Sequence, residues 1–408
     1  MLVGYDTRFG SREFAVLVAE VFAGNGIKTL LCDTAAPTPV VSYNVLANKT
    51  AGAVIITASH NPAQWNGLKF IDYDGCFLNS KKNLDLFKIA DDDPNQEEKI
   101  GNIYTIDSGF LPHIENTRNL SVIDATLIEN RKFTVVIDAV NGAASLALPA
   151  MLEALGCTVY RLYCEPDGKF PRGAEPLPCN LHKLGETVVE KKADVGFATD
   201  PDGDRLAVVD ENGQPLGEEY TLTICADGFL SSTSSTLPLV TNLSTTMALD
   251  RVAEKHGSFV IRTTVGEINV VNKMKEVGAL LGGEGNGGVI LSESHYGRDS
   301  LVGAALFLNR MALEKQKVSE IFMSMPQFIM VKDKIKLEAI NPEMAIKKIE
   351  ENFTDAKHDK TDGLKLTWKD SWVHIRKSNT EPIIRIYAEA SSEDKVHKLV
   401  DSVKRCIL

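Results

Sequence analysis

Three aspartates alternate in DPDGDR (200–205), between the apolar runs ADVGFATD (193–200) and LAVVD (206–210). On an extended loop this alternation aims Asp200, Asp202 and Asp204 to one side. Hard oxygen donors suit Mg²⁺, which keeps open positions for phosphate oxygens, and Mn²⁺ fits the same donors nearly as well. The bland alternative is a hairpin turn at Asp202-Gly203, but crowded carboxylates without a cation repel. An EF-hand places Glu211 at its twelfth position, yet its sixth is Arg205 rather than glycine and the flanks read as strands. A second candidate is TASHNP (57–62), where Ser59 and His60 follow the apolar strand AGAVIIT (51–57). Strand ends in α/β layers are where sites form, although Ser, Asn and Pro also make plain turns. Lys69, in WNGLKF, is near enough in sequence to reach the same cleft.

Two further strings offer ligand-binding groups. GGEGNGG (282–288) lets backbone approach a ligand, and its Glu284 and Asn286 suit sugar hydroxyls. It is neither a Walker loop nor a dinucleotide fingerprint, and a simple turn is the competing reading. RKSNTEPIIRIYAEA (376–390) gathers Arg376, Ser378, Asn379, Thr380 and Arg385, donors that grip phosphate. The alternative there is a solvated edge loop.

The elements that must position these groups alternate in type. Ser11 can cap a helix containing Phe14, Leu17, Val18, Val21 and Phe22, which Gly24-Asn25-Gly26 ends. FTVVIDAV (133–140) and CTVYRLYC (157–164) are strands flanking the helix ALPAMLEALG (147–156). Alternating strands and helices predict α/β layers. The 408 residues imply about two to four domains at roughly 150 residues each. Composition shifts divide them at 1–128, 129–222, 223–325 and 326–408.

Composition narrows the function. The net charge of −11 argues against a nucleic-acid binder, while leaving room for arginines that set a local positive potential. The seven cysteines are odd in number and form no CxxC pair, so reduced thiols in a cytoplasm are expected. MLVGYDTRFG has no apolar signal core. No stretch of about 18 uncharged apolar residues predicts a membrane span.

Together the four strings, in this order, resemble the α-D-phosphohexomutase superfamily, which covers phosphoglucomutases, phosphomannomutases and phosphoglucosamine mutases. The resemblance extends to VGYDTR (3–8), the PTP turn (37–39), PDGKFPRGAEPLP (166–178), TTVGEINVV (263–271) and HYGRDSLVG (295–303), and is closest to phosphoglucosamine-mutase-like members. It implies an α/β fold: three related α/β domains with mixed sheets, plus a smaller C-terminal α+β domain, around a central cleft. The units then carry the phosphoserine, the metal, the sugar loop and the phosphate clamp, in chain order.

The implied activity is an isomerase that interconverts hexose or hexosamine 6-phosphate and 1-phosphate. Ser59 carries the phosphate, a 1,6-bisphosphate is the intermediate and activator, and glucosamine phosphate is the expected sugar, with mannose phosphate and glucose phosphate as the alternatives. One Mg²⁺ per chain sits on Asp200, Asp202, Asp204 and a phosphate oxygen of Ser59. Lys69 transfers protons, His60 stands beside the serine, and Arg8 and Arg205 stabilise charge at the transferred phosphate. Glu284, Asn286 and Gly266 read the sugar, and Arg376, Ser378, Asn379, Thr380 and Arg385 hold the distant phosphate. No nucleic acid or membrane partner is implied. A metal-dependent sugar phosphatase and a non-catalytic sugar-phosphate binder are the competing readings.

The sequence departs from the family pattern twice. Many members carry a Gly-rich loop of the form GTxGxRG ahead of the strand that here begins at Leu2, and this chain does not. A truncated or misassigned start, or reduced activity, is the expectation. Several members have His at the end of the sugar loop, where this chain has Gly288. His295 or Lys69 is then expected to take over any proton transfer.

Overall fold

The computed structural model describes residues 1–91, 100–107, 109–336, 341–377 and 383–407. The first unit runs β1 (Leu2–Tyr5), α1 (Ser11–Gly24), β2 (Thr29–Cys32), α2 (Thr38–Ala47), β3 (Gly52–Ile56), β4 (Leu68–Asp72), α3 (Ser80–Asp91) and β5 (Ile103–Ile106). Helices α4 (Phe110–Arg118) and α5 (Ala125–Arg131) lead to the second sheet. That unit continues with β6 (Thr134–Asp138), α6 (Ala144–Ala154), β7 (Thr158–Leu162), α7 (His182–Lys191), β8 (Val195–Thr199) and β9 (Leu206–Val209). The third contains α8 (Glu219–Thr233), β10 (Leu239–Asn242), α9 (Ala248–Lys255), β11 (Val260–Thr263), α10 (Glu267–Val277), β12 (Leu281–Glu284), β13 (Gly288–Leu291), α11 (Ser300–Glu314) and α12 (Val318–Ser324). The fourth contains β14 (Ile329–Lys336), α13 (Pro342–Asn352), β15 (Lys357–Asp359), β16 (Leu364–Thr367), β17 (Ser371–Lys377), β18 (Ile383–Ala390) and α14 (Glu393–Ile407).

The first three sheets repeat one plan. Their orders are β4-β3-β1-β2-β5, β7-β6-β8-β9 and β11-β10-β12-β13. In each, parallel strands end in a single antiparallel edge strand: β4 on β3, β9 on β8, β13 on β12. The connection into that edge strand carries Ser59 in the first unit, DPDGDR in the second and GGEGNGG in the third. The fourth sheet, β14-β18-β17-β16-β15, is antiparallel throughout. Three mixed α/β sheets and a C-terminal α+β unit are therefore the architecture that the resemblance implies.

Local sequence explains most element ends. Asp124 caps α5 and Asp299 caps α11, each accepting from backbone N–H groups of the first turn. Helix α1 differs from expectation. Gly10 is its cap, and the Ser11 hydroxyl donates instead to Asp6 Oδ1 at 2.8 Å. Its buried residues are Ser11, Ala15 and Ala19, whereas Phe14, Leu17 and Val21 are 50, 55 and 63% exposed. Small side chains lie where the helix meets the sheet, Val18 and Phe22 pack partly against the same core, and Phe14, Leu17 and Val21 face outward.

The largest core is shared between units two and three, with β6 and β8 residues packed among residues of α8 and α11. At its centre Phe197 meets Phe307 edge to face, with ring centroids 5.7 Å apart. Among the described residues no helix is long and apolar enough to cross a membrane. All seven cysteines are free thiols.

A shared core predicts shared unfolding. Phe197→Ala should cost about 3–5 kcal/mol and move the transitions of units two and three together in urea. An early, separate loss of the second unit alone would contradict a common core.

Candidate active site

Ser59 sits on a loop whose backbone is held under tension. Its φ is +49°, in the left-handed region that non-glycine residues enter rarely and at a cost in backbone strain. The Thr57 hydroxyl accepts from Ser59 N–H at 3.0 Å and donates to Asp6 Oδ2 at 2.7 Å. Asp6 also pairs with Arg8 Nε at 2.9 Å, both side chains being fully buried.

The remaining N–H groups of Arg8 go to loop carbonyls. Nη1 donates to Pro62 O at 2.6 Å and Trp65 O at 3.1 Å, and Nη2 to Asn61 O at 2.7 Å and Ser59 O. A guanidinium has five donors, and all five are engaged. The role expected for Arg8, stabilising charge on the transferred phosphate, does not fit this geometry: Arg8 shapes the serine loop.

His60 is likewise committed. Arg205 Nη2 donates to its Nδ1 at 2.9 Å, and Ser59 Oγ lies farther away at 3.4 Å. A guanidinium only donates, so Nδ1 is the acceptor and the ring proton is on Nε2. Burial, and then the charge of Arg205, lower the His60 pKa. Because its Nδ1 lone pair is taken, His60 orients Arg205 rather than serving Ser59 as a base.

In the β8–β9 turn all three aspartates are buried. Each uses one carboxylate oxygen and leaves the other orphaned. Asp200 Oδ1 accepts from the N–H groups of Asp204 and Arg205 at 3.2 Å. Asp202 Oδ2 accepts from Lys69 Nζ at 2.6 Å and Thr38 Oγ1 at 2.9 Å. Asp204 Oδ2 accepts from Arg298 Nη2 at 2.6 Å. Asp200 Oδ2, Asp202 Oδ1 and Asp204 Oδ1 have no hydrogen-bond partner, and one ligand atom from each carboxylate lies within 4.8 Å of the others. Burial, then the neighbouring Asp204 and Asp202, push the Asp200 carboxyl well above its ordinary range. Burial alone would lower the Lys69 pKa, but Asp202 and Asp204 outweigh it and hold the ammonium charged.

The sugar loop is gathered around Glu284. Its Oε1 accepts from Asn242 Nδ2 at 2.8 Å and Gly266 N at 3.2 Å, and its Oε2 from Arg298 Nη1 at 2.8 Å and Asn286 Nδ2 at 3.3 Å. Glu284, Asn286 and Gly266 are thus together. Ser59, His60, Lys69, Arg205, Glu267 and Arg298 line one cleft of about 380 Å³. Thr38, Asn242, Glu267 and Arg298 were not singled out by residue chemistry. The strings PTP, VGE and GRD that contain three of them were the available signal.

On the fourth unit Arg376 and Arg385 stand opposite each other on β17 and β18. Arg376 Nε is buried without a hydrogen-bond partner, and its Nη1 lies 3.7 Å from Asp362. Asp362 Oδ2 accepts from Val265 N at 3.0 Å, tying this unit to the Gly266 turn. Ser378, Asn379 and Thr380 lie outside the described residues.

A second buried cluster reads as structural. His113 and His295 place Nε2 at 2.7 and 3.0 Å from Asp299 Oδ2. A metal-bound imidazole ordinarily donates its other N–H to a partner, but both Nδ1 atoms are buried without one. Rings that donate Nε2–H to the shared carboxylate fit better, tethering α4 to α11. His295 is 2% exposed in this tether and is not among the residues lining the Ser59 cleft, so the proton-transfer role expected of it does not fit.

Family models describe the chain as four phosphoglucomutase/phosphomannomutase segments: α/β/α domain I at residues 1–97, domain II at 108–213, domain III at 217–328 and the C-terminal domain at 331–405. The chain belongs to the phosphoglucomutase/phosphomannomutase family. It is 35% identical to a phosphoglucomutase/phosphomannomutase of Thermococcus kodakarensis, over 98% of this chain and 88% of that one. A phosphoglucosamine/phosphogalactosamine mutase of Sulfurisphaera tokodaii is 31% identical, over 100% and 91%. A crystal structure of a phosphoglucomutase/phosphomannomutase family protein from Burkholderia thailandensis superposes with TM-score 0.86 at 26% identity, covering 99% and 88%.

The aspartate turn fits the divalent metal of a phosphohexomutase. Three buried, orphaned oxygens, one per carboxylate, form a hard donor set facing one point. The Gly288 departure also has a physical reason. A Cβ built there would lie 2.1 Å from Arg298 Cδ, so in this family member Arg298 occupies the room that a side chain at 288 needs.

Two outcomes follow from this geometry. Millimolar Mg²⁺ should raise the melting temperature relative to EDTA, and Asp200→Asn should abolish that rise. The raised Asp200 pKa has a definite sign: its contribution to metal-free stability is fully present below the unfolded carboxylate value of about 3.9 and is lost as pH rises through the folded value. Asp200→Asn should remove that component of the pH dependence. Arg8→Lys, which loses the five-donor fork, should lower kcat by about 100-fold or more while leaving the Mg²⁺-induced melting shift intact. Wild-type turnover by Arg8→Lys would show that the loop does not need its staple.

Proposed function

We propose that the chain interconverts the 6-phosphate and 1-phosphate of a hexose or hexosamine, with glucosamine phosphate as the preferred sugar, through a phosphoserine at Ser59. It is an isomerase, an intramolecular phosphotransferase, with the 1,6-bisphosphate as intermediate and activator. One observation carries this reading: a strained serine shares a cleft with Lys69 and Arg205, beside three carboxylates that each keep an oxygen free. A binding protein needs no such combination.

Ser59 Oγ carries the phosphate and passes it to the free hydroxyl of the sugar. Lys69, held as an ammonium by Asp202, donates a proton to Ser59 Oγ as that oxygen leaves. Among the residues lining the cleft, Glu267 has the only carboxylate. Burial, against the pull of Arg298, pushes it up to about 7, which suits it to take the proton of the attacking hydroxyl. Arg205 faces the transferred phosphate, positioned by His60. Asp200, Asp202 and Asp204, with the phosphate on Ser59, would hold one Mg²⁺, which would supply charge neutralisation for the transfer. Arg376 and Arg385, with Ser378, Asn379 and Thr380, hold the phosphate that is not reacting. After the bisphosphate turns around, its other phosphate returns to Ser59. Relatives named probable phosphoglucosamine mutase, from Methanopyrus kandleri, and phosphoglucosamine/phosphogalactosamine mutase, from Sulfurisphaera tokodaii, support glucosamine phosphate as the sugar.

Incubation with each hexose or hexosamine 1-phosphate, Mg²⁺ and a trace of 1,6-bisphosphate, followed by ³¹P NMR, should show the 6-isomer accumulating, fastest for glucosamine phosphate. Intact mass should show one phosphate, lost in Ser59→Ala together with turnover. Steady release of inorganic phosphate without isomer would make the chain a phosphatase. Undiminished turnover by Ser59→Ala would remove the phosphoserine from the mechanism.

A further inference from the structure

Arg298 is a buried cation surrounded by carboxylates. Its side chain is 9% exposed and meets carboxylates from three segments. Nη2 donates to Asp204 Oδ2 at 2.6 Å, Nη1 to Glu284 Oε2 at 2.8 Å and Nε to Glu267 Oε2 at 2.9 Å. Its backbone N–H donates to Glu267 Oε1 at 3.1 Å. These partners belong to the metal turn, the sugar loop and the start of α10. Lys69 Nζ lies 3.9 Å from Asp204 Oδ2, and Arg205 Nε lies 3.8 Å from Asp204 Oδ1, but neither hydrogen-bonds to that carboxylate as Arg298 does.

The path of the side chain is fixed by what is absent beside it. A Cβ at Gly288 would lie 2.1 Å from Arg298 Cδ and 2.8 Å from Cγ. The glycine that ends the sugar loop is therefore the room in which the guanidinium reaches both loops. A divalent cation drawn to the free oxygen of Asp204 shares that carboxylate with Arg298. A sugar hydroxyl read by Glu284 meets a carboxylate that Arg298 has already oriented.

We propose that Arg298 is a positioning residue with opposed effects on two ligands: it holds Glu284 in place for the sugar and competes with the divalent cation for Asp204. The sugar half rests on the mutase reading above; the metal half rests on the geometry alone. Two ligands that share one charged intermediary change each other's affinity reciprocally.

The test uses the full chain. Mn²⁺ binding is titrated calorimetrically without sugar, and glucosamine 1-phosphate binding is measured in a Ser59→Ala background. Arg298→Met should bind Mn²⁺ at least about fivefold more tightly and the sugar phosphate at least about fivefold more weakly, the lower end of ordinary site coupling. A merely structural residue would weaken both together, and either that outcome or unchanged Mn²⁺ affinity overturns the proposal. Gly288→Ala keeps the charge but displaces the side chain, and should give the same split even if Arg298→Met folds poorly. Arg298→Lys keeps a cation near Asp204 without the fork, so Mn²⁺ affinity should stay within about twofold while sugar affinity falls. If wild type shows no mutase turnover but Arg298→Met still tightens Mn²⁺ binding, the activity reading fails and the competition stands.

Discussion

Three buried carboxylates within 4.8 Å of one another are the constraint around which the site is arranged. Buried charges are costly unless paired, and this chain pairs each one only halfway. The partial compensation comes from different units: Lys69 and Thr38 from the first, Arg298 from the third. The aspartate turn of the second unit is therefore also the electrostatic joint between its neighbours. Ser300 adds a hydroxyl to Gly203 O at 2.7 Å, so the start of α11 holds the same turn by its backbone. The charge that chemistry requires and the contacts that assemble the units are one set of interactions.

The repeated sheet plan explains why these groups converge. In each of the first three units the functional turn joins the last parallel strand to its antiparallel edge strand. Sheets facing a common centre bring three such turns together without any long loop. Each turn is then stiffened differently. The serine loop is fixed by the four Nη donors of Arg8, the metal turn by N–H groups that cap Asp200, and the sugar loop by Asn242 and Gly266 on Glu284. Such preorganisation lets fixed dipoles and charges act on transfer without reorganising first.

The four motifs and the α/β layering were legible because they are local. Asp200, Asp202 and Asp204 declare themselves by spacing, and apolar runs ending in Gly or Asn mark the elements. What was not legible depends on partners far away in sequence. Arg8 looked like a phosphate ligand, because nothing within VGYDTR reveals that carbonyls at 59–65 will take its donors. Arg298 was visible only inside a family string, since its three carboxylates lie at 204, 267 and 284. His295 carried a plausible imidazole, and only the fold shows it turned into Asp299. In α1 the periodicity reveals an amphipathic helix without revealing its packing side: Ala15 and Ala19 allow the close approach, leaving Phe14, Leu17 and Val21 outside.

The fourth unit mirrors the logic of the aspartate turn with the opposite sign. Arg376 and Arg385 face each other across two strands, and like charges directly opposite in a sheet are destabilising. Arg376 Nε is buried without a partner, an unsatisfied donor whose natural complement is an anionic oxygen. The aspartate turn therefore presents free carboxylate oxygens, and the fourth unit an unsatisfied guanidinium donor on Arg376. On the function proposed above, a molecule with a phosphate at each end satisfies the arginine pair in either orientation, while presenting its other phosphate to the serine side. On that reading the arginine pair makes no distinction between a phosphate on carbon 1 and one on carbon 6, and discrimination falls to the groups between them, Glu284 and Asn286, and to Arg298, which holds Glu284.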